Sequence, residues 1–164
     1  MGAGRGGRGG AAGAPLISDA GAADADALRA LFRDYFAWLG PNGLFADADA
    51  EAELAALPGG YDAILVARDG EEIVGCVALR RLERGACEVK RLYVQPGARG
   101  SGTGRALVEA SIARARELGF SAMRLDTLPR MDAARALYLS LGFQPIERYN
   151  DNPIEGTLFF ELRL

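Results

Sequence analysis

Apolar residues recur along this chain in two rhythms, and their alternation predicts its elements. Leu16 and Ile17 open a short strand. Leu28, Leu31, Phe32, Tyr35, Phe36 and Leu39 then fall three or four positions apart, the stripe of an amphipathic helix, with Asp24 where an N-cap belongs and Gly40-Pro41 ending the run. A second, weaker helix is expected over Asp47 to Leu57, broken by Pro58-Gly59-Gly60. Ala63 to Ala67 and Ile73 to Leu79 are strand-like runs flanking Asp69-Gly70, a strong hairpin signal, and Glu83-Arg84-Gly85 turns the chain into another strand from Cys87 to Val94.

From Gln95 the pattern changes. A Gly-rich stretch leads into a helix from Gly102 to Leu118, striped by Leu107, Val108, Ile112, Ala115 and Leu118. Gly119 closes it, and Phe120 is placed to pack back over its last turn. Met123 to Thr127 reads as a strand, and Asp132 to Leu141 as a helix with Ala134, Leu137, Tyr138 and Leu141 on one face. Gly142-Phe143 repeats the closing device, and Thr157 to Leu164 alternates enough to be a last strand. Strands first, then strand, helix, strand, helix, strand: this order predicts a mixed α/β sheet with crossover helices.

The 164 residues fit a single domain, expected over 15–164, because domains usually hold roughly 100–200 residues. Residues 1–14 are almost wholly Gly, Ala and Arg, too little apolar surface to offset the entropy of ordering them, and are expected to be a disordered tail. Gly2 follows Met1, but Gly6 stands where a myristoylation signal wants Ser or Thr. No apolar run reaches the roughly 18 residues that span a bilayer, and no signal-like stretch opens the chain, so a cytoplasmic protein without a membrane partner is expected. With 19 basic against 22 acidic side chains, a broad electrostatic grip on nucleic acid is not expected either.

The absence of histidine removes the Ser-His and Cys-His nucleophile pairs, and no metal site is expected from scattered Cys and carboxylates. Cys76 and Cys87 form no CxxC pair and read as reduced, buried thiols.

Chemistry concentrates in Arg99-Gly100-Ser101-Gly102-Thr103-Gly104, after a strand and before a helix. At a helix N-terminus the first amides lack intrahelical partners and the dipole end is positive, so a phosphate is stabilised there, while glycine lets backbone amides approach its oxygens. The loop is not a P-loop, since Gly102 is followed by Thr103-Gly104 with no lysine. Nor is it a dinucleotide fingerprint, since Arg105 stands where the third glycine belongs. A glycine-rich connection that binds nothing is the alternative at this point.

Arg99-x-x-Gly102-x-Gly104 resembles the RxxGxG motif of the GNAT superfamily of N-acetyltransferases, within the fuller frame from Arg91-Leu92-Tyr93-Val94 to Ala106-Leu107. Ala136-Leu137-Tyr138 through Gly142-Phe143 resembles that family's downstream motif. The likeness covers residues 15 to 164, strongest over 73–146 and weakest in the first two helices. It implies a mixed, mostly antiparallel sheet of six or seven strands, splayed between two central strands and flanked by about four helices. It also implies acetyl-CoA as cosubstrate and an enzyme that moves an acetyl group to a primary amine.

Carried over by residue, the resemblance assigns the pantetheine arm to the backbones of Leu92, Tyr93 and Val94, and the pyrophosphate to the amides of Arg99, Gly100, Ser101, Gly102, Thr103, Gly104 and Arg105. An ordinary amine is protonated at pH 7 and needs a base; Glu88, six positions before Val94, resembles the place where base-using members of the family put a glutamate that acts through water, and is the candidate. The alternative is an exposed strand glutamate paired with Lys90 or Arg91. Tyr138 matches the tyrosine that gives the departing thiolate its proton; the alternative is a core tyrosine sharing a face with Ala134 and Leu141. Met131 stands where many relatives carry a cofactor-contacting Asn. Tyr149 and Asn152 sit in a polar loop that borders the acceptor site in the family, or in a turn held by Asn and Pro. Tyr35, Phe36 and Trp38 either wall the same cleft or belong to the core. The acceptor is expected to be a small molecule, attacked directly in a ternary complex. Acetylation of a protein N-terminus or lysine, a non-catalytic CoA-binding module, and a homodimer stay open.

Overall fold

The computed structural model describes residues 13–40 and 47–164. Most of the expected disordered tail, residues 1–12, and Pro41 of the first helix stop therefore lie outside the described residues.

Seven strands form one sheet: β1 (Leu16–Asp19), β2 (Ala63–Asp69), β3 (Glu72–Arg81), β4 (Ala86–Val94), β5 (Ala122–Thr127), β6 (Gln144–Pro145) and β7 (Leu158–Arg163). Their spatial order is β1-β2-β3-β4-β5-β7-β6, and among the described residues only the central β4/β5 pair is parallel. A parallel pair needs a crossover, supplied here by α3 (Thr103–Glu117). The hairpin expected at Asp69-Gly70 joins β2 to β3, with Asp69 opposite Glu72. The two-residue β6, absent from the hydropathy pattern, is held on β7 through Gln144↔Glu161 and Pro145↔Phe160.

Two apolar layers cover the sheet. On one face α1 (Ala25–Leu39) and α2 (Asp47–Ala56) bury Leu28, Leu31, Phe32 and Leu54 against Val66, Ile73, Cys76 and Ala78. On the other, α3 and α4 (Asp132–Ser140) bury Leu107, Val108 and Tyr138 against Val77, Leu79, Met123 and Leu125. Both helix ends close as the Gly-Phe pairs imply: Phe120 N–H bonds Ala115 C=O at 3.1 Å, and Phe143 N–H bonds Tyr138 C=O at 3.1 Å. Asp24 departs from its expected role. Its carboxylate accepts from Gly21 N–H at 2.8 Å and Arg68 Nη2 at 2.8 Å, across a short 3-10 turn at Ala22–Asp24, and makes no side-chain bond to the amides of α1.

One irregularity governs the centre of the sheet. Cys76 pairs with Tyr93 and Ala78 with Lys90, so Arg91 and Leu92 together oppose Val77. This bulge, with Arg91 at φ 57°, reverses the strand's parity. Cys87, Val89, Leu92 and Val94 all face the α3 layer, and Tyr93 faces α1. Left-handed backbone at a non-glycine residue costs about 1–2 kcal/mol. Arg91 is held there by a bidentate pair to Glu53 of α2, 2.7 Å at each nitrogen, with Tyr35 and Phe36 rings under its guanidinium. Among the described residues no helix is long and apolar enough to cross a membrane.

Candidate active site

β4 and β5 are paired only from Ala86↔Ala122 to Glu88↔Arg124. Beyond Glu88 they part, and a cavity of about 360 Å³ opens between them. Val89 to Leu92 form one wall and Asp126 and Thr127 the other; Tyr35 and Trp38 close one side, Ala134 and Tyr138 of α4 another, and residues 150–154 the rim. Of Tyr35, Phe36 and Trp38, Tyr35 and Trp38 thus line the cleft, while Phe36, like one side of Tyr35, packs against the α1/α2 core.

The Gly-rich loop starts α3 at the end of this strand. Gly100 and Gly102 have φ of 79° and 84°, and a Cβ at either would meet nothing within 4 Å, so the space before the loop is open. The first helical bond runs from Ala106 N–H to Gly102 C=O at 3.0 Å. Among the described residues, no acceptor takes the amides from Gly100 to Arg105. The hydroxyl of Ser101 is spent within the loop, donating to Ala98 C=O at 2.8 Å and lying 3.0 Å from Thr103 Oγ1. Arg105 turns its side chain to Glu109 and to Ser140 of α4. Free amides at the positive end of a 15-residue helix fit a diphosphate.

Of the three strand residues assigned to the pantetheine arm, Leu92 lies on the cavity wall and Tyr93 turns its ring toward Tyr35 and Trp38. The carbonyl of Val94 accepts from Arg99 Nε at 2.8 Å, and the Arg99 guanidinium lies over the Tyr93 and Trp38 rings.

Tyr138 borders the cavity, its ring packed edge-on to Phe143 with centroids 5.6 Å apart. Burial, reinforced by Tyr35 and Asp126, pushes its phenol above the usual tyrosine range, so it stays a donor. Glu88 is buried rather than exposed, at 1%. Its Oε1 lies 3.0 Å from both Arg80 Nη2 and Lys90 Nζ. Lys90 is one of the two partners expected from sequence; the other, Arg91, belongs to Glu53. Glu88 stands behind the wall, whereas Arg80, Lys90 and Asp126 are on it.

Asp126 Oδ2 accepts from Asn150 Nδ2 at 2.7 Å and Asn152 Nδ2 at 3.3 Å. Asn152 therefore lies at the cavity, but it also shapes the loop, its Oδ1 accepting from Ile154 N–H at 3.0 Å. Tyr149 is not on the wall. Its ring packs against Phe159 at 5.5 Å beneath the Arg124 guanidinium, and its buried hydroxyl lies near the Glu88 carboxylate, outside strict hydrogen-bonding geometry. Burial, and then the charges of Glu88 and Asp126, push that phenol upward. Met131 lines the cavity, its sulfur accepting from Thr127 Oγ1 at 3.5 Å.

Asp126 and Arg80 were not singled out from sequence, although a signal existed. Arg124 and Asp126 alternate with buried Met123 and Leu125, and charged residues on one face of a central strand call for a partner or a ligand.

The model of the acetyltransferase (GNAT) family matches residues 25–143. An uncharacterized N-acetyltransferase of Schizosaccharomyces pombe is 37% identical over 145 residues, covering 86% of this chain and 89% of its own. Among solved structures, yncA of Salmonella typhimurium, determined with its cofactor acetyl-CoA, superposes with a TM-score of 0.72 at 25% identity, covering 92% of this chain and 94% of that one. A ribosomal-protein-alanine N-acetyltransferase of Brucella melitensis gives 0.73 at 27% identity, covering 91% and 99%.

Proposed function

The chain belongs to the GNAT family of acetyltransferases, and on that footing we propose that it moves the acetyl group of acetyl-CoA directly to the primary amine of a small molecule, both substrates being bound at once. The observation that carries this reading is the parting of β4 from β5 beyond Glu88, which leaves a cavity with Tyr138 and Asp126 on its walls, beside the strand that leads into the α3 loop. A volume of about 360 Å³ suits a small acceptor.

Acetyl-CoA supplies an activated acyl group on sulfur. The amides from Gly100 to Arg105 hold its diphosphate, and Leu92, Tyr93 and Val94 line the path of its arm. Arg99 gives up the Val94 carbonyl where the arm needs it. Of Glu88 and Asp126, the two carboxylates beside the splay of β4 and β5, only Asp126 lines the cavity. It takes a proton from the ammonium, fixed in orientation by Asn150 and Asn152. Glu88 acts as a positioning residue, holding Arg80 and Lys90 at the wall. The nitrogen lone pair bonds to the acyl carbon while the carbon–sulfur bond breaks with its electrons on sulfur. Tyr138 protonates the sulfur. Two protons leave the nitrogen in all; one is balanced by the new S–H, and the other goes to solvent.

A covalent acyl-cysteine route lacks a nucleophile, since burial pushes the Cys76 thiol up to about 12 and the Cys87 thiol up to about 11. The test is thiol release from acetyl-CoA across a panel of amines with the purified protein. Acetyl-CoA binding without release for any small amine would overturn the reading in favour of a binding module, and release only with peptides would overturn the choice of acceptor.

A further inference from the structure

The charges on the cavity walls do not cancel one another, and their placement points to the acceptor. Glu88 and Arg124 are the last residues paired between β4 and β5. Two positions further on each strand, on the same sheet face, stand Lys90 and Asp126. Had the strands stayed together these two would face each other as a cross-strand ion pair; the splay holds them apart, and no ion pair between them is formed. Both line the cavity.

Each wall is left with an unbalanced charge. Lys90 and Arg80 share one carboxylate oxygen, Glu88 Oε1, so two positive charges meet one negative, and the Arg80 side chain is half exposed. Arg91, the third cation of this wall, is matched by Glu53. Across the gap, Asp126 accepts from the neutral amides of Asn150 and Asn152, while its strand neighbour Arg124 is matched by Glu161 at 2.7 Å. Asp151 at the rim is exposed to solvent.

We propose that the acceptor is an amino acid, or a close amino-carboxylate analogue, lying across the splay with its carboxylate on Lys90 and Arg80 and its ammonium on Asp126. This assignment rests on the acetyl-transfer reading above and narrows its substrate class. A zwitterion completes the broken cross-strand pair: each of its charges meets the opposite charge in a cleft where hydrogen bonds to ionised groups are strongest. A diamine or polyamine would satisfy Asp126 but set its second charge against Lys90 and Arg80. The arrangement also puts the nitrogen on the same carboxylate that takes its proton.

The experiment compares matched acceptors that share a side chain: the free amino acid, its carboxamide, and the decarboxylated amine. Initial rates of thiol release should give the free amino acid a kcat/KM at least about tenfold above the other two, the size expected when one charged hydrogen bond is removed. Lys90→Met should cut that preference by a similar factor, whereas Arg124→Met, which touches the other charged pair of this face, should keep it. Equal or better turnover of the decarboxylated amine, or a preference that survives Lys90→Met, would overturn the assignment. Should no acceptor release thiol, the transfer reading fails, yet thermal stabilisation measured with CoA present still decides this one. Stabilisation by the amino acid, lost in Lys90→Met, supports it, and stabilisation by the amine alone overturns it.

Discussion

In the proposed mechanism a buried phenol and a walled carboxylate divide the proton work, and each role can be tested alone. Because burial raises Tyr138 above the ordinary phenol range, it keeps its proton at the pH where an ordinary amine begins to lose its own. Rates should therefore climb with pH as the amine deprotonates and show no fall from this tyrosine below pH 10. Tyr138→Phe keeps the ring packed on Phe143 and removes only the donor; kcat should drop by about 10² with KM for acetyl-CoA little changed, measured by steady-state thiol release. Asp126→Asn should lower kcat/KM for the amine by about 10² as well, because the side chain can no longer take a proton. Glu88→Gln should cost less, since it loosens Arg80 and Lys90 without removing a group from the wall. A larger loss for Glu88→Gln than for Asp126→Asn would return the base to Glu88, the residue to which the family resemblance assigns it.

Among elements, the start of α3 is where backbone conformation and the proposed diphosphate contact coincide. Gly102 sits at φ 84° with open space before it, so Gly102→Ala should cost roughly 1–2 kcal/mol of stability and also set a methyl group where the diphosphate must come. Gly119, at φ 82° and equally open, provides the control: Gly119→Ala should lose similar stability with an unchanged KM for acetyl-CoA, while Gly102→Ala raises that KM about tenfold. The same elements show what hydropathy can convey. Helical stripes such as Leu28, Leu31 and Phe32, the Asp69-Gly70 hairpin and the Gly-Phe closures are local patterns, and each was legible because its partners lie within a turn or two. A splayed, mostly antiparallel sheet of six or seven strands followed from motif resemblance. The bulge at Arg91 was not legible, because it depends on Glu53 arriving from 38 residues away, and Asp126 was overlooked because its importance arises only when β4 leaves β5. The burial of Glu88, which rules out the alternative of an exposed strand glutamate, comes from layers that its own strand does not encode.

At the scale of the molecule, the pair that fixes the bulge also ties the α2 layer to the centre of the sheet, so the site's geometry and the fold's acid stability share one carboxylate. Burial opposes ionisation of Glu53, but hydrogen bonds from Arg91 and Tyr61 and the Arg91 charge outweigh it and hold the carboxyl below its ordinary value of 4.5. A carboxylate whose pKa is depressed on folding binds fewer protons folded than unfolded. Its contribution is therefore complete above 4.5 and disappears as pH falls through the lower folded value. Glu53→Gln keeps the shape and removes the charge. At pH 7 it should lose about 2–3 kcal/mol, less than the full cost of breaking a buried pair because the amide still accepts hydrogen bonds. That loss corresponds to about 5–10 °C in Tm for a chain of this size. Urea midpoints followed from pH 7 downward should bring wild type and variant together below pH 4.5, the wild type losing stability faster. Parallel curves across that range would mean that the pair contributes through packing alone. If the bulge depends on this charge, the variant should also bind acetyl-CoA more weakly at pH 7, because Leu92 and Val94 keep their parity only while Arg91 is held.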